Sequence, residues 1–484
     1  MYRNGISLLP GAIDPNLSRG HPLFFHAMAA AWMHIFGTSN KSLHLFALFI
    51  SLLFLITIYE VGYRIFNKRV AVIALLLVAT HVSFFVQSSF VLFEVLVAFL
   101  CFLSIYLYVK EKYLLTTLTL TALFLTKESG IIAGFVIGAD AIIGLFSKNI
   151  LLKTKLLKLM PVVVACSTMG LFFVIQKHVS GWYVLPLYTD TILSKWPDIW
   201  YRFRTCIVKT IFYEGYDYLV FFALYAYSIM NVLKERKLKS LALLVMLVPG
   251  ILVYWFIDDG RSEIFNAANI TLVAFFTFTG FYILSLYVFS ASVYYETSIQ
   301  RKLILLLGFF ALCFMLFSSV AYFIPRYLLA CSIPVLFLLA VFLDMLMRHS
   351  WSMLYYPLLA VIAVSAFWSF KESNGWGDTD MGFYYGLKTQ VGIVEFMERN
   401  NFYDKNIAAS YLNDEHLKDK NTGFLTSDRN FKNVGYSINP NTELVIFDNI
   451  EPDKRRDTIA KNTSYELIYK FSIRDVWSEI YRRK

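Results

Sequence analysis

Between residues 42 and 370 the chain alternates long apolar stretches with short polar ones. Each stretch approaches the roughly 20 residues that an α-helix needs to cross a bilayer. The stretches run over about 42–66, 70–87, 90–109, 113–127, 129–146, 159–176, 216–233, 239–257, 268–290, 303–323, 327–347 and 353–369, which predicts an all-α polytopic membrane bundle of about twelve transmembrane helices. Ahead of them, 22–37 (PLFFHAMAAAWMHIFG) is apolar but short, and His26 and His34 interrupt it. That pattern fits a helix lying in the membrane interface better than a span. From Lys371 onward the pattern becomes polar and charged. There 379–400 has helical spacing, 406–411 and 443–448 read as strands, 452–462 as a charged helix, and 465–472 and 475–482 as a terminal strand pair. Three regions are therefore expected: 1–41 as a first loop with an interfacial helix, 42–370 as the membrane domain, and 371–484 as a small soluble α/β domain.

Composition sharpens this picture. With 58% hydrophobic and 16% charged residues, the 484-residue chain is poorly suited to a water-soluble globule. The loops after the odd-numbered spans carry 16 cations (Arg64, Lys68, Arg69, Lys110, Lys112, Lys148, Lys153, Lys155, Lys158, Lys234, Arg236, Lys237, Lys239, Arg301, Lys302 and Arg348), whereas the alternate loops carry eight, five of them within 177–215. The positive-inside rule then predicts a cytoplasmic first set and places 1–41, 177–215 and the tail 371–484 outside the cytoplasm. The net charge of +10 is spread over these loops and forms no single stripe, which argues against nucleic-acid binding. Loop 177–215 is rich in Trp and Tyr, as suits the headgroup level. The five cysteines show no CxxC or metal-ligand spacing, and no disulfide framework is expected. No Walker or GxGxxG motif suggests a nucleotide-driven pump.

The start of the chain is unusual. Nothing in MYRNGISLLPGAIDPNLSRG looks like a signal peptide, although the topology requires this segment to be exported. A further transmembrane helix upstream, giving 13 in a full-length form, is the expectation; a true start at Met1 is the alternative.

Ionisable groups at membrane depth are costly and mark candidate sites. Glu94 opens the third span, Lys127 and Glu128 form the TKESG turn, and Arg326 sits in IPRYLLACSIP; all are predicted on the same side as His21 of SRGHPLFFH. A carboxylate beside Lys and Arg suits a phosphate-bearing lipid donor, since cations offset charge on the departing phosphate while a carboxylate takes a proton from an acceptor hydroxyl. The plainer readings are a snorkelling pair for Lys127 and Glu128 and a headgroup anchor for Arg326. Asp258 and Asp259, in FIDDGRSEIF, suit either a solvated loop or a contact with acceptor or a divalent metal ion.

The order GHPLFFHAMAAAWMHIFG, a turn followed by Glu94, FLTKESG, and PRYLLACSIPVLFLLA, followed by an exported tail, resembles the GT-C membrane glycosyltransferases. Within them it is similar to the bacterial branch akin to protein O-mannosyltransferases and the lipid A aminoarabinose transferase. The resemblance implies a bacterial inner-membrane enzyme, with inverting transfer of a sugar from a polyprenyl-phosphate donor to a lipid, glycan or protein acceptor on the outer face. It implies Glu94 as the acidic residue of the second outer loop, Lys127 and Arg326 as donor-phosphate ligands, and His21 as the histidine of the first-loop HP motif, with Glu128 beside them. Such families carry a catalytic acidic residue in the loop after their first span; here that helix and motif would lie upstream of Met1. Asp14, the acidic residue of the remaining loop, is a candidate base or a turn residue. Two other classes compete: a transporter or flippase, against which stands the clustering of charges at one face and the absence of inverted repeats, and an inactive GT-C-like paralogue lacking the first helix.

Overall fold

The computed structural model describes residues 5–14, 18–147, 151–186, 195–211, 219, 284, 288, 292, 294, 295, 297–321, 324–350, 355–373, 377–450 and 453–484. The chain divides into two compact units, Met1–Ser369 and Phe370–Lys484.

The first unit is helical. A short helix α1 (Phe24–Phe36) precedes α2 (Asn40–Val61), whose N-terminus is capped by Ser39 accepting from the Ser42 N–H. At Gly62–Phe66 the helix widens into a π-turn. A side chain at Gly62 would stand 2.7 Å from the Ala71 Cα, so glycine permits the close approach of the next helix. Asn67 caps that helix, α3 (Lys68–Ala79), by accepting from the Arg69 and Val70 N–H groups at 2.7 and 3.2 Å. The span expected over 70–87 is two helices, α3 and α4 (Val82–Gln87). At the break His81 adopts an extended backbone, and the Thr80 hydroxyl donates to the Leu76 carbonyl at 2.6 Å.

Next come α5 (Glu94–Val109), α6 (Tyr113–Phe124), a 3-10 turn (Glu128–Gly130) running into α7 (Ile131–Leu145), and α8 (Leu152–Ser180). Helix α9 (Trp196–Ile211) lies within the aromatic loop. After it stand α10 (Ser298–Val320), a 3-10 turn (Pro325–Leu328), α11 (Leu329–Ser350) and α12 (Tyr355–Glu372). The apolar stretch of α11 is buried throughout, packed against α3, α5 and α10, while α8 shows most of its surface. Helix α11 is thus the axis of the bundle. Phe337 from α11 meets Phe102 of α5 at 5.3 Å between ring centroids. Outer helices instead turn residues such as Leu118 and Val174 outward, the face expected where lipid is the solvent.

Among the described residues, Asn40–Phe66, Glu128–Leu145, Leu152–Ser180, Ser298–Val320 and Pro325–Met347 are five helices long and apolar enough to cross a membrane. Phe24–Phe36, Glu94–Val109, Tyr113–Phe124 and Tyr355–Lys371 are apolar but shorter. The expected spans 216–233, 239–257 and 268–290 lie almost wholly outside the described residues.

The second unit is an α/β domain with a five-stranded sheet in the order β2-β1-β3-β5-β4. Its strands are β1 (Asn406–Ala409), β2 (Asn433–Gly435), β3 (Leu444–Asp448), β4 (Tyr465–Ile473) and β5 (Val476–Arg483). β1 runs parallel to β2 and β3, and β5 runs antiparallel to β3 and β4. Period-two alternation divides its core. Ile407, Leu444, Ile446 and Ile480 meet Ile393, Val394 and Met397 of α13 (Met381–Arg399) on one face. Ala408, Val445, Phe447 and Tyr481 meet Ile459 of α15 (Arg455–Lys461) on the other. The helix α14 (Tyr411–Lys418) and the three-residue strand β2 lack a counterpart in the hydropathy pattern, being too short and polar to show a period.

Candidate functional site

Glu94, Lys127 and Arg326 are delivered to one place by three separate chain turns. Glu94 is the first residue of α5, where the unpaired N–H groups and dipole of a helix start favour a carboxylate. Lys127 is extended between α6 and the Glu128–Gly130 turn. Gly130 closes that turn tightly, since an added Cβ would come within 2.6 Å of the Leu123 side chain. Arg326 follows Pro325, whose fixed φ starts its own 3-10 turn.

The Glu94 Oε1 accepts from Arg326 Nε at 3.1 Å and from Lys127 Nζ at 3.5 Å. Glu94 and Lys127 are buried, at 3% and 9% exposed, and Arg326 is partly buried, at 15%. Among the described residues Glu94 Oε2 has no hydrogen-bond partner. The Lys127 ammonium lies 3.4 Å from the Tyr327 ring centroid and 4.5 Å from that of Phe93, so its main neighbours are aromatic faces. One carboxylate therefore faces two cations away from bulk water, and Lys127, with three donors and one long contact, has donor capacity left for an anion.

A second pair adjoins the first. His21 Nδ1 stands 2.8 Å from Glu128 Oε2, and the His21 ring meets Phe93 edge-on at 5.2 Å. The structure thus gathers Glu94, Lys127, Arg326, His21 and Glu128 around Phe93 and Tyr327. Asp14 lies in a turn of the first loop, where its carbonyl accepts from the Ser18 N–H at 3.0 Å. Asp258 and Asp259 lie outside the described residues. Among the described residues no group of three or more His, Cys, Asp or Glu side chains could hold a metal ion.

Phe93 and Tyr327 were not among the residues read as site residues from sequence. Their signal was adjacency: each aromatic stands next to a charged residue at a helix start. Helix α9 is the other unforeseen contributor. It packs against the Pro325–Leu328 turn, and Arg202 donates to the Ala321 carbonyl at 2.8 Å, just ahead of that turn. Two other acids of the helical unit, Asp344, which is buried, and Asp140, which is partly exposed, lie toward the C-terminal ends of their helices. Asp344, near the end of α11, accepts from Asn67 and Tyr295, and Asp140, in α7, accepts from Tyr108 and pairs with Lys302.

A helical membrane bundle with a desolvated carboxylate between two cations is an arrangement suited to phosphate-linked substrates. Residues 20–175 match the family model of the dolichyl-phosphate-mannose-protein mannosyltransferases, and the matched stretch contains His21, Glu94, Lys127 and Glu128. That match supports a membrane glycosyltransferase of the GT-C type. No match was found among curated proteins.

Proposed function

We propose that this chain transfers a sugar from a polyprenyl-phosphate donor to a lipid, glycan or protein acceptor on the extracytoplasmic face of a bacterial inner membrane. The observation that carries this reading is the buried Glu94 carboxylate, with Lys127 and Arg326 on one oxygen and, among the described residues, no hydrogen-bond partner on the other. In this reading Lys127 and Arg326 take the donor phosphate and offset the charge it gains as the bond to the sugar breaks. Glu94 holds the two cations in register, and its Oε2 accepts from a hydroxyl of the sugar or acceptor. Removal of the acceptor proton falls to a carboxylate of this site or of the first outer loop, Glu94 or Asp14. The acceptor oxygen attacks the anomeric carbon opposite the phosphate, and configuration inverts. In the same reading the first loop and the tail from 371 lie outside the cytoplasm.

The test is sugar transfer by purified, detergent-solubilised protein supplied with polyprenyl-phosphate sugars and, separately, with nucleotide sugars. Consumption of the lipid-linked donor with release of polyprenyl phosphate is expected. Consumption of the nucleotide sugar alone would overturn the reading. Topology is tested by a periplasm-active reporter fused after Lys484, expected to be functional; activity only from a cytoplasm-specific reporter would refute the orientation.

A further inference from the structure

The His21–Glu128 pair stands where it can control Lys127. Glu128 is the next residue in the chain, and the two side chains reach different partners from the same turn. One goes to Glu94 and the other to His21. The first loop is fastened to the same turn a second time, by the Phe24 N–H donating to the Leu125 carbonyl at 2.8 Å. Phe93 completes the link: its ring takes the edge of His21 at 5.2 Å and the ammonium of Lys127 at 4.5 Å. Against these, the Lys127 contact with Glu94 is long, at 3.5 Å, and does not by itself fix the ammonium.

We infer that the His21–Glu128 pair is a latch that positions Lys127, clamping the first loop onto the turn so that the ammonium stays between Phe93 and Tyr327. His21 and Glu128 are then positioning residues, acting through Lys127 without touching the reacting atoms. The inference rests on the proposed function for its link to turnover, but its structural part is independent of that reading.

Two measurements test it in the full chain. The first is reductive methylation of Lys127, read by mass spectrometry, which requires no sugar transfer. Glu128→Ala is expected to speed labelling at least about fivefold, since a restrained side chain is released. The second is a double-mutant cycle with polyprenyl-phosphate sugar as donor. Glu128→Ala should lower turnover about tenfold in the wild-type background and less than about twofold in a Lys127→Ala background. Unchanged labelling of Lys127, or equal losses in both backgrounds, overturns the latch. Should Glu128→Ala fail to insert, His21→Gln, which keeps a donor to Glu128, is compared with His21→Leu; slow labelling in the first and fast in the second is expected, and equal rates overturn the proposal. If the wild type consumes no lipid-linked donor, the function reading fails while the labelling result still decides the latch.

Discussion

Two carboxylates in this chain are each buried against one lysine and one arginine, Glu94 in the membrane unit and Glu479 in the tail domain, and their surroundings differ. Glu479 uses both oxygens: Oε1 accepts from Arg456 Nη2 at 3.1 Å and Lys470 Nζ at 2.9 Å, and Oε2 from Arg456 Nε and the Tyr481 hydroxyl, both at 3.0 Å. Its cations remain partly in solvent, Arg456 at 33% exposed and Lys470 at 49%. Among the described residues Glu94 uses one oxygen, at 3.1 and 3.5 Å, and its cations are less exposed, Lys127 at 9% and Arg326 at 15%. A saturated carboxylate with wetted cations is what a structural tie requires. An unsaturated carboxylate with desolvated cations is a poor tie, because burial costs are met without full pairing. Such an arrangement makes physical sense when a further charged group completes it, which is the argument for a ligand at Glu94 and for none at Glu479.

The sharpest break of this comparison is in turnover. Lys127→Ala or Arg326→Ala is expected to reduce sugar transfer by about 100- to 1,000-fold, the scale of one lost transition-state contact, at about 3–4 kcal/mol. Arg456→Ala should leave turnover within about twofold, as expected away from a reacting centre. Wild-type turnover in both membrane-unit variants would reduce the turns around Lys127 and Arg326 to helix anchors.

Glu94→Gln sharpens the same point through stability. Removing the charge takes from Lys127 and Arg326 the carboxylate they share, at a cost of up to about 3–5 kcal/mol. Added polyprenyl phosphate should recover thermal stability in Glu94→Gln more than it stabilises wild type. A melting temperature insensitive to the lipid phosphate in both proteins would argue that no anion completes the cluster. Glu479→Gln is expected to cost about 1–3 kcal/mol locally. It should be seen as faster amide exchange in β4 and β5 of the full chain, with no recovery on adding the same lipid.

The smallest expected effect is the acid response of the tail. Burial alone would raise the Glu479 carboxyl, but its hydrogen bonds from Arg456, Lys470 and Tyr481 bring it below the ordinary glutamate range. Its contribution is therefore present above the unfolded value and is lost as pH falls through the lowered folded value. His416, stacked on Phe424 at 3.6 Å, is pushed down by burial to about 4. The unfolded chain takes up that proton near pH 6.5 while the folded domain resists it, so stability is lost as pH falls from about 6.5 toward 4, by at most about 1.4 kcal/mol per pH unit. Exchange rates corrected for intrinsic pH dependence should rise across that window. His416→Phe should flatten the rise, and an unchanged slope in that variant would remove His416 as the cause.

Much of the helical and strand layout was legible because it repeats. Apolar runs over 42–66, 303–323 and 327–347 became α2 with its π-turn, α10 and α11, and the alternation at 465–472 and 475–482 became β4 and β5. The break at Thr80–His81 was hidden, since one residue turning to an extended backbone leaves hydropathy untouched. The short α14 and β2 carry too few residues to express a period.

At the candidate site the chain alone supplied residue types and positions: a carboxylate at the start of α5, a Lys–Glu turn after α6, and an arginine after Pro325. These follow from local rules, because charges are costly within a span and collect at its ends. Which of them share an oxygen was decided by tertiary packing. Glu94 and Arg326 are 232 positions apart, and their contact exists because α5 and α10 pack around the buried α11. The same packing decided that Lys127 stands between Phe93 and Tyr327, that Glu94 Oε2 has no hydrogen-bond partner among the described residues, and that His21 closes onto Glu128. Periodicity records which face of a helix avoids water; it does not record which two faces meet, and the chemistry of this site arises where they do.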